Sequence, residues 1–135
     1  MCTTESEENV IVKLPGLPPS VNNSYRAARS KGAGHCLFYK KREVKKWQAM
    51  AVTKLKEASE GHCVPFTGKL KLSIACYTKN KRRMDVDNRI KAVQDCLQSS
   101  GLIKDDSQIW DLRAVRIMTE ESEFTVIELS QYNEF

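Results

Sequence analysis

No run of apolar residues in this 135-residue chain approaches the ~20 needed to cross a bilayer. The polar start from Met1 to Asn9 has neither the basic nor the apolar region of a signal peptide. A soluble cytosolic protein without a membrane partner is therefore expected. The five cysteines, at positions 2, 36, 63, 76 and 96, include no Cys-x-x-Cys pair and leave an odd one over. That pattern indicates neither a disulfide framework nor a zinc ribbon, and the thiols are expected to be reduced. Only two histidines occur, in the dipeptides His35-Cys36 and His62-Cys63. Neighbouring residues rarely present both side chains to one ion, so a structural zinc is not expected. Glycine and proline are sparse, 6 and 4, and there is no internal repeat, low-complexity tract or linker. The length fits one domain with an adequate core.

What the chain does have is charge. Lysine plus arginine number 22 against 17 aspartate plus glutamate, a net +5, which favours a polyanionic partner, nucleic acid before an anionic membrane. Behind an acidic leader taken as residues 1–9 and expected to be disordered, residues 10–135 read as one domain. Val10 to Leu14 reads as a strand ended by Pro15-Gly16, and Leu17 to Arg26 as a loop whose Tyr25 and Arg26 are either incidental polar residues of a surface loop or a ring and a fork of donors suited to nucleic acid. Arg29 to Gly34 reads as a flexible loop. From Lys40 to about Ala58, Val44, Trp47, Ala51 and Leu55 form the apolar stripe of a helix. Its first turns hold Lys40, Lys41 and Lys45, which oppose the helix dipole and suit a phosphate backbone instead. Trp47 is either core or a base-stacking platform.

Leu70 to Tyr77 alternates as a strand with Leu70, Leu72, Ile74 and Cys76 on one face. It runs into the most unusual stretch of the chain, Lys79 and Lys81-Arg82-Arg83-Met84-Asp85-Val86-Asp87-Asn88-Arg89-Ile90-Lys91. Ile90, Val93 and Leu97 then mark an amphipathic helix that Gly101 ends. Asp87, Lys91 and Asp95, spaced by four, share one face of it. If the chain turns back after Gly101, Asp105-Asp106 returns toward Asp85 and Asp87. Carboxylates so close repel unless they share a cation, and a hard ion such as Mg²⁺ suits them. The plainer alternative is that Asp85 or Asp87 caps the helix and Asp105-Asp106 makes an ordinary turn. The adjoining Lys79, Lys81, Arg82 and Arg83 favour a polyanion passing over a metal. Ile109 to Met118 and Phe124 to Leu129 are β-prone runs expected to form a hairpin, although their imperfect alternation leaves the buried face open. The order of elements predicts an α+β domain, a mixed sheet packed against helices.

Asp85-Val86-Asp87-Asn88-Arg89-Ile90-Lys91, then Asp95, Leu97, Gly101 and Asp105-Asp106-Ser107-Gln108, resembles the signature of the RusA-like Holliday junction resolvases, and Pro18-Pro19-Ser20-Val21-Asn22 with Tyr25-Arg26 is similar to their N-terminal motif. The resemblance spans about residues 10 to 130. It implies metal-binding catalytic carboxylates at Asp85, Asp87 and Asp106, a catalytic lysine at Lys91, and Asp105 as the less certain member of its pair. It also implies Mg²⁺ dependence, for which Mn²⁺ can substitute, no small-molecule cofactor, and a homodimer whose two sites nick opposed strands of a four-way DNA junction. Asn88 suits a partner to a ligating carboxylate. Phage or prophage origin would place the protein in a bacterial host's cytoplasm. The competing possibility is a non-catalytic DNA-binding protein with a structural acidic cluster; a phosphohydrolase of small substrates would leave the basic surface without a purpose.

Overall fold

The computed structural model describes residues 9–20, 34–79 and 84–133, with side chains in the first helix described from residue 42 onward. The elements run β1 (Asn9–Pro15), α1 (Gly34–Ala58), β2 (Leu70–Thr78), a 3-10 turn (Asp87–Arg89) leading into α2 (Ile90–Ser100), a second 3-10 turn (Asp106–Gln108), β3 (Ile109–Met118) and β4 (Phe124–Gln131). The strands form one mixed sheet in the order β1-β4-β2-β3. Both helices lie on one face of it: Ala51 and Leu55 of α1 and Val93, Cys96 and Leu97 of α2 join Val10, Val12, Leu14, Leu72, Ile74, Ile127 and Leu129 in a single core. An α+β domain with helices packed on a mixed sheet is thus observed.

Local chemistry accounts for most boundaries. β2 buries Leu70, Leu72, Ile74, Cys76 and Thr78 in strict alternation, as its sequence period requires. α2 turns Val93 and Leu97 fully inward, each contributing roughly 1.5–3 kcal/mol by leaving water. Gly101 ends it in the left-handed conformation at φ 86°, where a Cβ would be strained, and donates to the Gln98 carbonyl at 3.1 Å. α1 begins at Gly34, ahead of the expected start at Lys40, and Trp47 packs against the core rather than standing as a platform. The loop expected from Arg29 to Gly34 lies outside the described residues as far as position 33.

Two expectations are overturned. β3 and β4 are not a hairpin: β3 pairs parallel with β2 on one side, and β4 pairs antiparallel with both β2 and β1 on the other. The segment between them crosses the end of β2, where the Thr119 amide donates to the Thr78 carbonyl at 2.9 Å and the Lys79 amide to Glu123 Oε2 at 3.2 Å. β2 is the better alternating strand and takes a partner on each edge, which separates two runs that are adjacent in sequence. The imperfect alternation of β3 has a local cause as well. The register shifts between Leu70, opposite Ile109, and Lys71, opposite Asp111, so Trp110 is a bulged, 58 % exposed residue and the strand changes phase there. The second correction concerns the thiols. Cys76 and Cys96 are free and buried, but Cys63 is disulfide-bonded. An odd count does not prevent one bridge, and proximity in space is not written in spacing. Burial pushes the Cys96 thiol up to about 11 and raises that of Cys76, so both stay protonated core groups.

One side chain fastens the acidic loop to the sheet. Gln108 Oε1 accepts from the Lys104 and Asp105 amides at 2.8 and 3.2 Å, while its Nε2 donates to the Phe66 and Gly68 carbonyls at 2.7 and 3.2 Å. It clips the turn before β3 to the segment before β2. Gln108→Ala should lower stability by about 1–3 kcal/mol in a urea titration, because the amides and carbonyls it serves lose a shared partner. A midpoint equal to that of wild type would mean that the clip contributes nothing.

Candidate active site

The acidic stretch begins beyond β2. Asp85 and Asp87 are exposed, and Asn88 Nδ2 donates to Asp85 Oδ2 at 3.3 Å, so Asn88 orients that carboxylate. Neither aspartate is a helix cap. Val86 precedes the 3-10 turn and Arg89 precedes α2, each without a capping side-chain bond. Neither carboxylate is therefore spent on a helix amide, and Asp85 keeps its bond from Asn88. Arg89 links this stretch to the N-terminal segment. Its Nη1 donates to the Pro18 carbonyl at 2.6 Å, tying the Pro18-Pro19-Ser20 segment to the head of α2.

The two members of the second acidic pair behave differently. Asp105 caps the 3-10 turn, accepting from the Ser107 amide at 3.3 Å and from the Ser107 hydroxyl, with Gln108 closing the reciprocal half of the capping box. Those hydrogen bonds hold the Asp105 carboxyl below its ordinary pKa. Asp106 makes no such cap and faces Lys91, whose Nζ lies 3.9 Å from Asp106 Oδ2. The same ammonium is 3.2 Å from Asp95 Oδ1. Its i,i+4 partner is thus Asp95 and not Asp87. The hydrogen bond and charge of Asp95, then the charge of Asp106, raise the Lys91 pKa, so it is a cation throughout the neutral range.

Lys91 and Asp95 form one wall of a cleft of about 200 Å³ whose other walls are Pro19 and Ser20 of the N-terminal segment and Val44 and Gln48 of α1. Among the described residues no three His, Cys, Asp or Glu stand close enough together to hold a metal ion. The gathering of Asp106 with Asp85 and Asp87 expected from the sequence is therefore not observed; like charges repel, and Asp106 is compensated by Lys91 instead. The donor chemistry nevertheless suits a hard cation, because none of the three carboxylates is spent on a helix cap: Asp87 is exposed, Asp85 is exposed and held by Asn88, and Asp106 faces the Lys91 ammonium.

Of the basic residues, Lys45 on α1 and Lys79 after β2 are exposed. Tyr25, Arg26, Lys81, Arg82 and Arg83, and the side chains of Lys40 and Lys41, lie outside the described residues. Three residues near the site carried no assigned role from the sequence. Asp95 was detectable by its spacing from Lys91, and Gln108 by its spacing of three from Asp105, a capping-box interval. Nothing in the sequence points Arg89 at Pro18, more than seventy residues away, because that contact exists only after folding.

Comparison with known proteins bears on the same residues. The chain is 26% identical over 125 residues to a crossover junction endodeoxyribonuclease RusA of Aquifex aeolicus, covering 93% of this chain and 94% of that protein. It is 40% identical over 48 residues to the proteins of that name from Escherichia coli K12 and Enterobacteria phage 82, covering 36% of this chain and 40% of theirs. No helix among the described residues is long and apolar enough to cross a membrane. The family model for endodeoxyribonuclease RusA matches residues 15–130, from the end of β1 through both acidic segments to the last strand, and the chain belongs to that family.

Proposed function

We propose that this protein is a structure-selective endodeoxyribonuclease that resolves four-way DNA junctions by paired nicks in recombination and repair, acting in the cytoplasm, or in that of the bacterial host if phage-encoded. The observation that carries this is the approach of Lys91 to Asp106, since it joins the two halves of the acidic signature across the length of α2 within a chain matched to the family over residues 15–130. The nuclease domain is taken as residues 10–135 after a leader at 1–9. A purely structural acidic cluster is disfavoured by the absence of capping bonds from Asp85 and Asp87.

Asp85, Asp87 and Asp106 would hold Mg²⁺, or Mn²⁺ in its place, and the cation would offset the repulsion that keeps these carboxylates apart. When bound, it would supply an activated water and Lewis-acid stabilisation of the phosphoryl oxygens. The chain's own groups do the rest. Lys91 presents a permanent cation to the charge that develops on the phosphoryl group, Asn88 orients Asp85, and Asp105 shapes the loop that carries Asp106. Lys40, Lys41, Lys45, Lys79, Lys81, Arg82 and Arg83, with Tyr25 and Arg26, would bind the DNA arms by phosphate contacts that select shape over sequence.

Paired nicking needs two sites, and the sheet offers a surface for a second copy of the chain. On the face away from the helices, Pro15, Phe124, Tyr77 and Ile117 align across all four strands, beside a row formed by Val126, Ala75 and Val115. Tyr77 stacks on Phe124 at 4.3 Å, and Lys13 Nζ lies 4.2 Å over the Phe124 ring. Ile117 and Val115 remain 37 % and 48 % exposed, as a half-covered sheet face would leave them. A two-fold dimer through these rows matches a substrate with near two-fold symmetry.

Two experiments test this. Asp85→Asn, Asp87→Asn and Asp106→Asn should each abolish Mg²⁺-dependent cutting of a synthetic four-way junction while junction binding persists or tightens, since each removes a negative charge near phosphate. A variant that nicks at the wild-type rate would remove its residue from the site. Val115→Glu with Ile117→Glu should convert a dimer to monomer in sedimentation velocity and lose paired nicking, with an unchanged circular dichroism spectrum. An intact dimer would place the interface elsewhere.

A further inference from the structure

Lys91 sits where helix electrostatics disfavour it. It is the second residue of α2, close to the positive end of the helix dipole, and its acidic partner lies C-terminal to it at i,i+4, the less stabilising order for such a pair. Helix stability therefore gives no reason for this arrangement. Both side chains are half exposed, 57 % for Lys91 and 45 % for Asp95, where an isolated ion pair is worth little. What the pair does accomplish is geometric. A lysine has four side-chain torsions, and a free ammonium would spread over many positions. Here Asp95 Oδ1 at 3.2 Å holds the amine from the helix side while Asp106 Oδ2, on a separate element, stands at 3.9 Å. The anchored amine faces the cleft that Ser20 and Gln48 close from the opposite walls.

We infer that Asp95 is a positioning residue for the nuclease reaction, holding the Lys91 ammonium beside Asp106 at the mouth of this cleft so that it meets the phosphoryl group already oriented. The inference rests on the catalytic role proposed for Lys91. Preorganisation is the source of the effect: a cation aimed before the substrate arrives does not have to be ordered in the transition state. In this role Asp95 acts through the lysine it holds, whose charge offsets its own and limits repulsion of the DNA strand.

The test is single-turnover cleavage of a synthetic four-way junction at saturating protein and Mg²⁺, followed over hours so that slow rates are readable, with junction affinity and a thermal melt measured beside it. Asp95→Ala and Asp95→Asn should slow cleavage roughly 10–100-fold, the range seen when the partner of a first contact residue is removed, with affinity and melting temperature unchanged. Asp95→Glu should recover most of the rate, because its carboxylate still reaches the amine. Lys91→Ala should lose about 100-fold or more, and adding Asp95→Ala to it should cost nothing further. Wild-type cleavage by Asp95→Ala and Asp95→Asn beside an impaired Lys91→Ala would overturn the positioning role alone. Losses that multiply in the double variant would do the same. Normal cleavage by Lys91→Ala would overturn the role of the lysine and this inference with it, and that single variant tells the two failures apart.

Discussion

β2 is hydrogen-bonded along both edges, parallel to β3 and antiparallel to β4, and the placement of the two acidic segments follows from that double pairing. A parallel partner cannot be reached by a tight turn, so the chain must leave β2, run back through a helix and enter β3 from the other end. The crossover is α2 with its two flanking 3-10 turns, and these hold Asp87 at one end and Asp106 at the other. β4 must then pass over the end of β2 to reach its other edge. That passage brings Glu123 onto the Lys79 amide, just where the chain departs toward Asp85. Sheet topology and site are one construction.

Within that frame the acidic residues divide their work by what the backbone asks of them. Asp105 is occupied by the amide and hydroxyl of Ser107, and the loop around it is clipped to the sheet by Gln108. Asp106 is left to face Lys91. On the other side Asn88 holds Asp85, while Asp87 opens a turn that no side chain caps. Carboxylates that a helix does not use for its own amides are available for a cation or a proton, and Lys91 balances part of the charge on Asp106. Arg89 extends the arrangement to the N-terminal segment, since its bond to Pro18 sets Ser20 across the cleft from Lys91.

The sheet has two unlike faces for a related reason. Residues of β2 that alternate inward meet both helices, whereas the outward set meets a stacked pair, Tyr77 and Phe124, and branched residues of the edge strand. Farther along, the outward row of Ile11, Glu128, Ser73 and Arg113 is polar except at Ile11, so the apolar area is concentrated in the half of the face adjoining the exit of β2. A surface of that kind suits a second copy packed near the acidic residues rather than over the whole sheet.

The sequence alone determined what is periodic or local. Alternation placed β2 and its buried set, spacings of three and four placed Val93 and Leu97 in the core, and the demand for a left-handed residue made Gly101 the end of α2. The order of acidic and basic residues was distinctive enough to carry the family as well, because it is a short linear pattern. Only the tertiary structure decided which strand lies beside which. β3 and β4 are neighbours in the chain, yet β2 stands between them, and pairing is settled by burial across the whole sheet and not by proximity in sequence. The bulge at Trp110, the disulfide at Cys63 and the bond from Arg89 to Pro18 belong to the same class. So does the choice of Asp95 over Asp87 as the partner of Lys91: both lie four residues away, and a helix period cannot tell them apart. Asp87 belongs to the 3-10 turn and Asp95 to α2, and the returning loop sets Asp106 3.9 Å from the same ammonium, a contact that no spacing along the helix specifies.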